Sequence, residues 1–127
     1  MNTELLTFAT QTTQAHIGIV EPDAIRRRFH FALAKSQLHP FIEHVSLLKY
    51  TLRLVNGTVI VFFEASRWQR LLGWRFDRIE AAHDALVMMP PHLLDERLKP
   101  GILLQEGLFV GAAYLPGKVV SDENSTC

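Results

Sequence analysis

The sequence predicts one small α+β domain with the element order helix, β-hairpin, long helix, β-hairpin. Three observations lead there. The stretch "LLKYTLRLVNGTVIVFFE" alternates apolar and polar residues around Asn56-Gly57, "SRWQRLLGWRFDRIEAAHDAL" carries apolar residues at helical spacing, and "ILLQEGLFVGAAYLPG" offers a second set of apolar runs separated by a glycine. A chain of 127 residues, 48% hydrophobic and 20% charged, matches one domain able to bury its own core. Residues 1–117 are read as that domain and 118–127 as a polar C-terminal tail.

Near the N-terminus, Leu5, Phe8, Ala9 and Thr12 fall at helical spacing, and "HIGIV" follows as a short extended piece. The next segment, "EPDAIRRRFHFALAKSQLHP", predicts a helix with acidic residues near its start, a face formed by Ile25, Phe29, Ala32 and Leu33, and an end at His39-Pro40. A two-residue turn at Asn56-Gly57 would set Leu54 opposite Val59, Leu52 opposite Val61 and Lys49 opposite Glu64. That register gives one dry face and one pair of opposite charges. Ser66 and Gln69 have the spacing of a capping box, so a long helix is expected over 66–89, ended by Pro90-Pro91. Its apolar stripe is Trp68, Leu71, Leu72, Ile79, Ala82 and Leu86, with Gly73 as a weak point. A short helix at "HLLDERL", a turn at Pro100-Gly101 and a hairpin containing Leu103, Leu108, Val110 and Tyr114 complete the reading.

Several chemistries lack their residues. The only cysteine is Cys127, which leaves no intrachain disulfide. No apolar run reaches bilayer length and the N-terminus lacks the pattern of a secretory signal, so a cytoplasmic protein with no membrane contact is expected. His39 and His44 stand roughly 140° apart on a helix, with Pro40 between them, and cannot grip one ion. Glu80, His83 and Asp84 would share a surface of the long helix, but as the ordinary polar side of an amphipathic helix. No nucleophile elbow, phosphate-binding loop or dinucleotide fingerprint is present. No catalytic residue, metal site or cofactor is therefore assigned.

Charge is more informative. The formal net charge is zero, yet ten Lys/Arg face three acids between Ala24 and Arg78, and the sign reverses from Glu80 onward. On a helix begun after Ser66, Arg67, Arg70, Trp74 and Arg78 would lie along one side, with Trp68 turned to the core. Lys49 and Arg53 on the hairpin would add to the same cationic surface. An indole among guanidinium groups can stack on a base or anchor a protein interface. These six residues are the candidates for binding nucleic acid or a protein partner.

The order helix, two strands, helix around "LRLVNGTVIVFFEASRWQRLLGW" resembles the K-homology-like domain of DciA-type replicative helicase loaders over about residues 23–100. The strand "GTVIVFFEAS" leads into a Ser, one residue, Trp and a later Leu, matched by Ser66, Trp68 and Leu71 or Leu72. The resemblance implies a K-homology-like core and a non-catalytic adaptor that contacts DNA and the replicative helicase. A protein-binding inhibitor or adaptor encoded by a mobile element accounts for small size and uneven charge equally well. A third reading is a small-molecule site or enzyme, which would need Tyr50, a histidine and carboxylates to converge. A homodimer through the second hairpin is the expected form of any self-association.

Overall fold

The computed structural model describes residues 3–71, 74–89, 102–103 and 108–114. Two helices open the chain around a strand: α1 (Thr3–Gln11), β1 (His16–Glu21) and α2 (Ala24–Gln37). A 3-10 turn at His39–Phe41 then leads into β2 (Ile42–Ser46), β3 (Thr51–Leu54) and β4 (Val59–Glu64). A 3-10 segment (Ala65–Leu71), β5 (Arg75–Ala82), α3 (His83–Leu86), β6 (Ile102–Leu103) and β7 (Leu108–Tyr114) follow. The strands form one mixed sheet in the order β2-β3-β4-β1-β5-β7-β6. The α+β class holds. The expected short helix at "HLLDERL", the Pro100-Gly101 turn and the tail 118–127 lie outside the described residues.

β1 organises the sheet. It runs parallel to β4 on one side, Ile17 beside Ile60 and Ile19 beside Phe62, and parallel to β5 on the other, Gly18 beside Ile79. A strand with neighbours on both edges satisfies its backbone groups within the sheet, and its side chains are buried on both faces. On one face Ile17 and Ile19 pack with Leu52, Leu54, Ile60 and Phe62 beneath Leu5 and Ala9 of α1, Phe31 and Ala34 of α2, and Leu38 just after it. On the other, Val20, Val61, Phe63, Ile79 and Ala81 meet Ala65 and Leu71 of the 3-10 segment and Ala85 and Leu86 of α3. The unbroken apolar run "VIVFF" of β4 reflects this burial on both faces.

The hairpin forms, but one residue out of the expected register. Thr51 opposes Val61, Leu52 opposes Ile60 and Arg53 opposes Val59. The loop has three residues: the Gly57 amide donates to the Leu54 carbonyl at 3.0 Å, and the Leu54 amide donates to the Thr58 carbonyl at 2.8 Å. Gly57 sits at φ 86°, the left-handed position such a loop requires. The cause lies in α1. Asn56 Nδ2 donates to the carbonyls of Ala9, Thr10 and Thr12 at 3.0, 3.3 and 3.2 Å, while Asn56 Oδ1 accepts from the Thr58 amide. Thr58 Oγ1 donates to the Thr12 carbonyl at 2.6 Å. The slip removes the expected pairing of Lys49 with Glu64, which instead binds Arg27 at 2.9 Å.

Two further expectations are overturned. No long helix spans 66–89; the 3-10 segment is kinked at Arg67, and 75–82 is strand. From Arg78 to Ala81 the side chains alternate polar and apolar, and pairing with β1 on one side and β7 on the other satisfies the backbone groups of both. The second helix of a K-homology-like order is therefore replaced by a strand. The packing face of α2 also differs: its buried residues are Phe31 and Ala34, whereas Ile25, Phe29 and Leu33 are exposed. Helix α2 forms, but begins at Ala24: Asp23 caps it, with Oδ1 accepting from the Arg26 amide at 2.7 Å, while Glu21 ends β1. The second hairpin is present as β6 and β7, and β7 is an interior strand between β5 and β6.

Replacing Asn56 with alanine takes this donor from the carbonyls of Ala9 and Thr10 and leaves that of Thr12 with the Thr58 hydroxyl alone. Asn56→Ala is expected to lower stability by about 1–3 kcal/mol in urea unfolding with an unchanged m-value.

Candidate interaction surface

The six candidate residues do not lie along one side of a helix. Arg67 and Arg70 stand exposed on the 3-10 segment, Lys49 in the turn before β3, and Arg53 on β3. None of these four makes an ion pair with a described residue. Arg78 is different. On β5 it turns toward α1, where its guanidinium binds Glu80 at 2.8 Å and Glu4 at 2.9 Å and lies over the Phe8 ring. With 12% of its side chain exposed, Arg78 holds the helix to the sheet and is not open to a partner.

Trp68 packs against the core, as expected, and Trp74 is half-buried. The Trp74 indole stacks on Phe76, with centroids 5.5 Å apart and planes within 9°, and meets the edges of Phe63 and His16. A glycine makes room for this arrangement: a Cβ on Gly18 would come within 2.8 Å of the Phe76 ring. His16, at the edge of the stack, also lines a groove of about 400 Å³ at the amino-terminal end of β1, with Arg53, Val59, Gln14 and Glu43 among others. Strand register explains the convergence, since His16 is beside Val59, Val59 beside Arg53, and Arg53 beside His44. Two of the candidates, Trp74 and Arg53, are thus brought to opposite sides of His16.

At the carboxyl ends of the parallel strands lies a cluster that sequence reading did not assemble. His30 Nδ1 is 2.7 Å from Glu21 Oε2, Arg27 binds Glu64, and Arg26 binds Asp84 at 2.8 Å. The Arg27 guanidinium also lies 4.0 Å from the centre of the Tyr50 ring, and Tyr50 holds a left-handed backbone conformation at φ 50°. Tyr50, His30 and two carboxylates do come together along α2, but each is paired with a neighbour. The signal was available: Arg26 and His30 are one helical turn apart, on the helix that follows β1 directly. Burial pushes the Glu21 carboxyl above its ordinary value, opposed by the hydrogen bond from His30 and by the charges of His30 and Arg26.

The shared helical surface expected for Glu80, His83 and Asp84 is absent, because Glu80 lies buried on β5 while His83 and Asp84 open α3. No group of three or more metal-ligating side chains gathers among the described residues. Nor is any described helix long and apolar enough to cross a membrane. Comparison with protein-family models, curated proteins and solved structures gives no match.

Two outcomes follow from these contacts. Gly18→Ala should displace Phe76 and loosen the Trp74 stack, with a loss of about 1–3 kcal/mol and a shift in tryptophan emission. The raised Glu21 carboxyl contributes stability that is complete below its ordinary value of 4.5 and lost as pH rises through its value in the fold. Glu21→Gln keeps the neutral shape at every pH. Its stability relative to the wild type should therefore improve from about pH 4 to pH 7 in denaturant titrations, and a constant difference would contradict the assignment.

Proposed function

We propose that this chain is a binding module for an anionic partner, with nucleic acid the first candidate. The observation that supports it is the fate of the cations. Arginines at 26, 27 and 78 are bound to acids of the same chain, whereas Lys49, Arg53, Arg67 and Arg70 are exposed and form no ion pair with a described residue. Exposed Lys and Arg bind phosphates by releasing condensed counterions, which needs no enclosed pocket. His16 lines a groove with Arg53 and meets the Trp74 indole on its other side, which puts an aromatic surface and a cation on the two sides of one residue, the kinds of group on which single-stranded bases stack. The DciA-type resemblance, which without the second helix rests on the strand "GTVIVFFEAS" and the Ser66 and Trp68 that follow it, suggests DNA and a replicative helicase as the setting. An acidic protein would satisfy the same cations.

Fluorescence anisotropy with labelled single-stranded and duplex DNA tests the reading. Binding is expected at about 50 mM salt and should weaken steeply by about 200 mM. The double substitution Arg67→Glu, Arg70→Glu should reduce affinity at least tenfold and flatten the salt dependence on single strands by about 1.4 in log–log slope, the share of two phosphate contacts. Absence of binding to either DNA at low salt overturns the nucleic-acid reading and leaves the acidic-protein one.

A further inference from the structure

Helix α2 is apolar on two sides. Phe31, Ala34 and Leu38 pack into the core, while Ile25, Phe29 and Leu33 face solvent with exposures of 75%, 63% and 40%. The exposed three are spaced by four residues, so they form a single ridge along the helix, on the side away from Ala34 and Leu38. Ridges of this spacing are the ones that helices fit into the grooves of another helix. Charge decides what can lie there. From Ala24 to Ile42 the chain has no acidic residue, and Arg28 and Lys35 flank the ridge, exposed and without an ion pair to any described residue.

The geometry points to an amphipathic helix with acidic flanks, supplied by a partner protein, docking along Ile25, Phe29 and Leu33. Its apolar residues cover the ridge and its carboxylates meet Arg28 and Lys35. A second copy of the chain is disfavoured by the same charges. In an antiparallel, two-fold pairing of α2 with itself, like flanks face each other, which sets the cationic flank of Arg28 and Lys35 against the same flank of the copy. This surface is separate from the groove at His16 and from Arg67 and Arg70, so the inference stands or falls independently of DNA binding.

The test is selection from a library of helical peptides displayed on phage, using the intact wild-type protein as bait. Enriched peptides are expected to carry apolar residues at intervals of three and four, flanked by Asp and Glu. Their binding should fall about tenfold or more with Phe29→Asp. It should also fall with Arg28→Glu and weaken as salt is raised. Phe29 and Arg28 are exposed, so both variants are expected to melt with the wild type, and circular dichroism checks this. No enrichment, enrichment of basic or extended peptides, or binding indifferent to both substitutions overturns the proposal. So does self-association abolished by Phe29→Asp, or adhesion to phosphatidylserine vesicles by a protein that selects no peptide.

Discussion

Asn56 and Thr58 lock the hairpin to the end of α1, and the arrangement of the sheet depends on that lock. Every helix ends with carbonyls that have no partner inside the helix, and here one side-chain amide serves two of them, Ala9 and Thr10, and the Thr12 carbonyl just beyond. The same residue accepts from the Thr58 amide, and the buried Thr58 hydroxyl bonds back to Thr12. The Val59 amide then donates to the Ala15 carbonyl at 2.8 Å, which starts β1 alongside β4 in register. A local solution for one helix end thus sets which face of β4 meets the helices.

This lock also shows what could and could not be read from the sequence. Alternation around Asn56-Gly57 identified the hairpin, and the apolar runs of 102–114 identified the second one. The register was misread because it depends on where the Asn56 side chain finds its partners, on residues more than forty positions earlier. The long helix was misread for a different reason. Ile79, Ala82 and Leu86 have helical spacing, but β1 needs a neighbour on its second edge, and the alternation of Arg78, Ile79, Glu80 and Ala81 supplies it. Trp68 as a core residue and the exposed positions of Arg67, Arg70, Lys49 and Arg53 agreed with expectation. Arg78 did not: Glu80 is its neighbour two residues along β5, but Glu4 lies on α1, whose proximity to β5 only the fold reveals.

The same sheet order resolves the charge asymmetry. Basic residues of α2 meet acids at the carboxyl ends of the parallel strands and at α3, so part of the excess between Ala24 and Arg78 is neutralised internally. Among the described residues, Arg67 and Arg70 stay exposed and without an acidic partner on the 3-10 segment, Lys49 in the turn before β3, Arg53 on β3, and Arg28 and Lys35 on the outer side of α2. Cationic surface accordingly occurs in separate places, one around the groove at His16 and one beside the apolar ridge of Ile25, Phe29 and Leu33. Two classes of contact can therefore coexist on a domain of this size without competing for the same atoms.

The central position of β1 has a kinetic consequence. Its partners in the sheet come from far along the chain, His16 beside Val59 and Ile17 beside Arg78, whereas β3 and β4 are joined by a tight loop. Loop-closure entropy favours the near pair, so the hairpin assembles early and the middle strand inserts late. Until it does, "VIVFF" presents an unprotected edge. Slow collapse at high concentration would expose that edge to neighbouring chains, which makes dilute refolding the favourable condition for this topology.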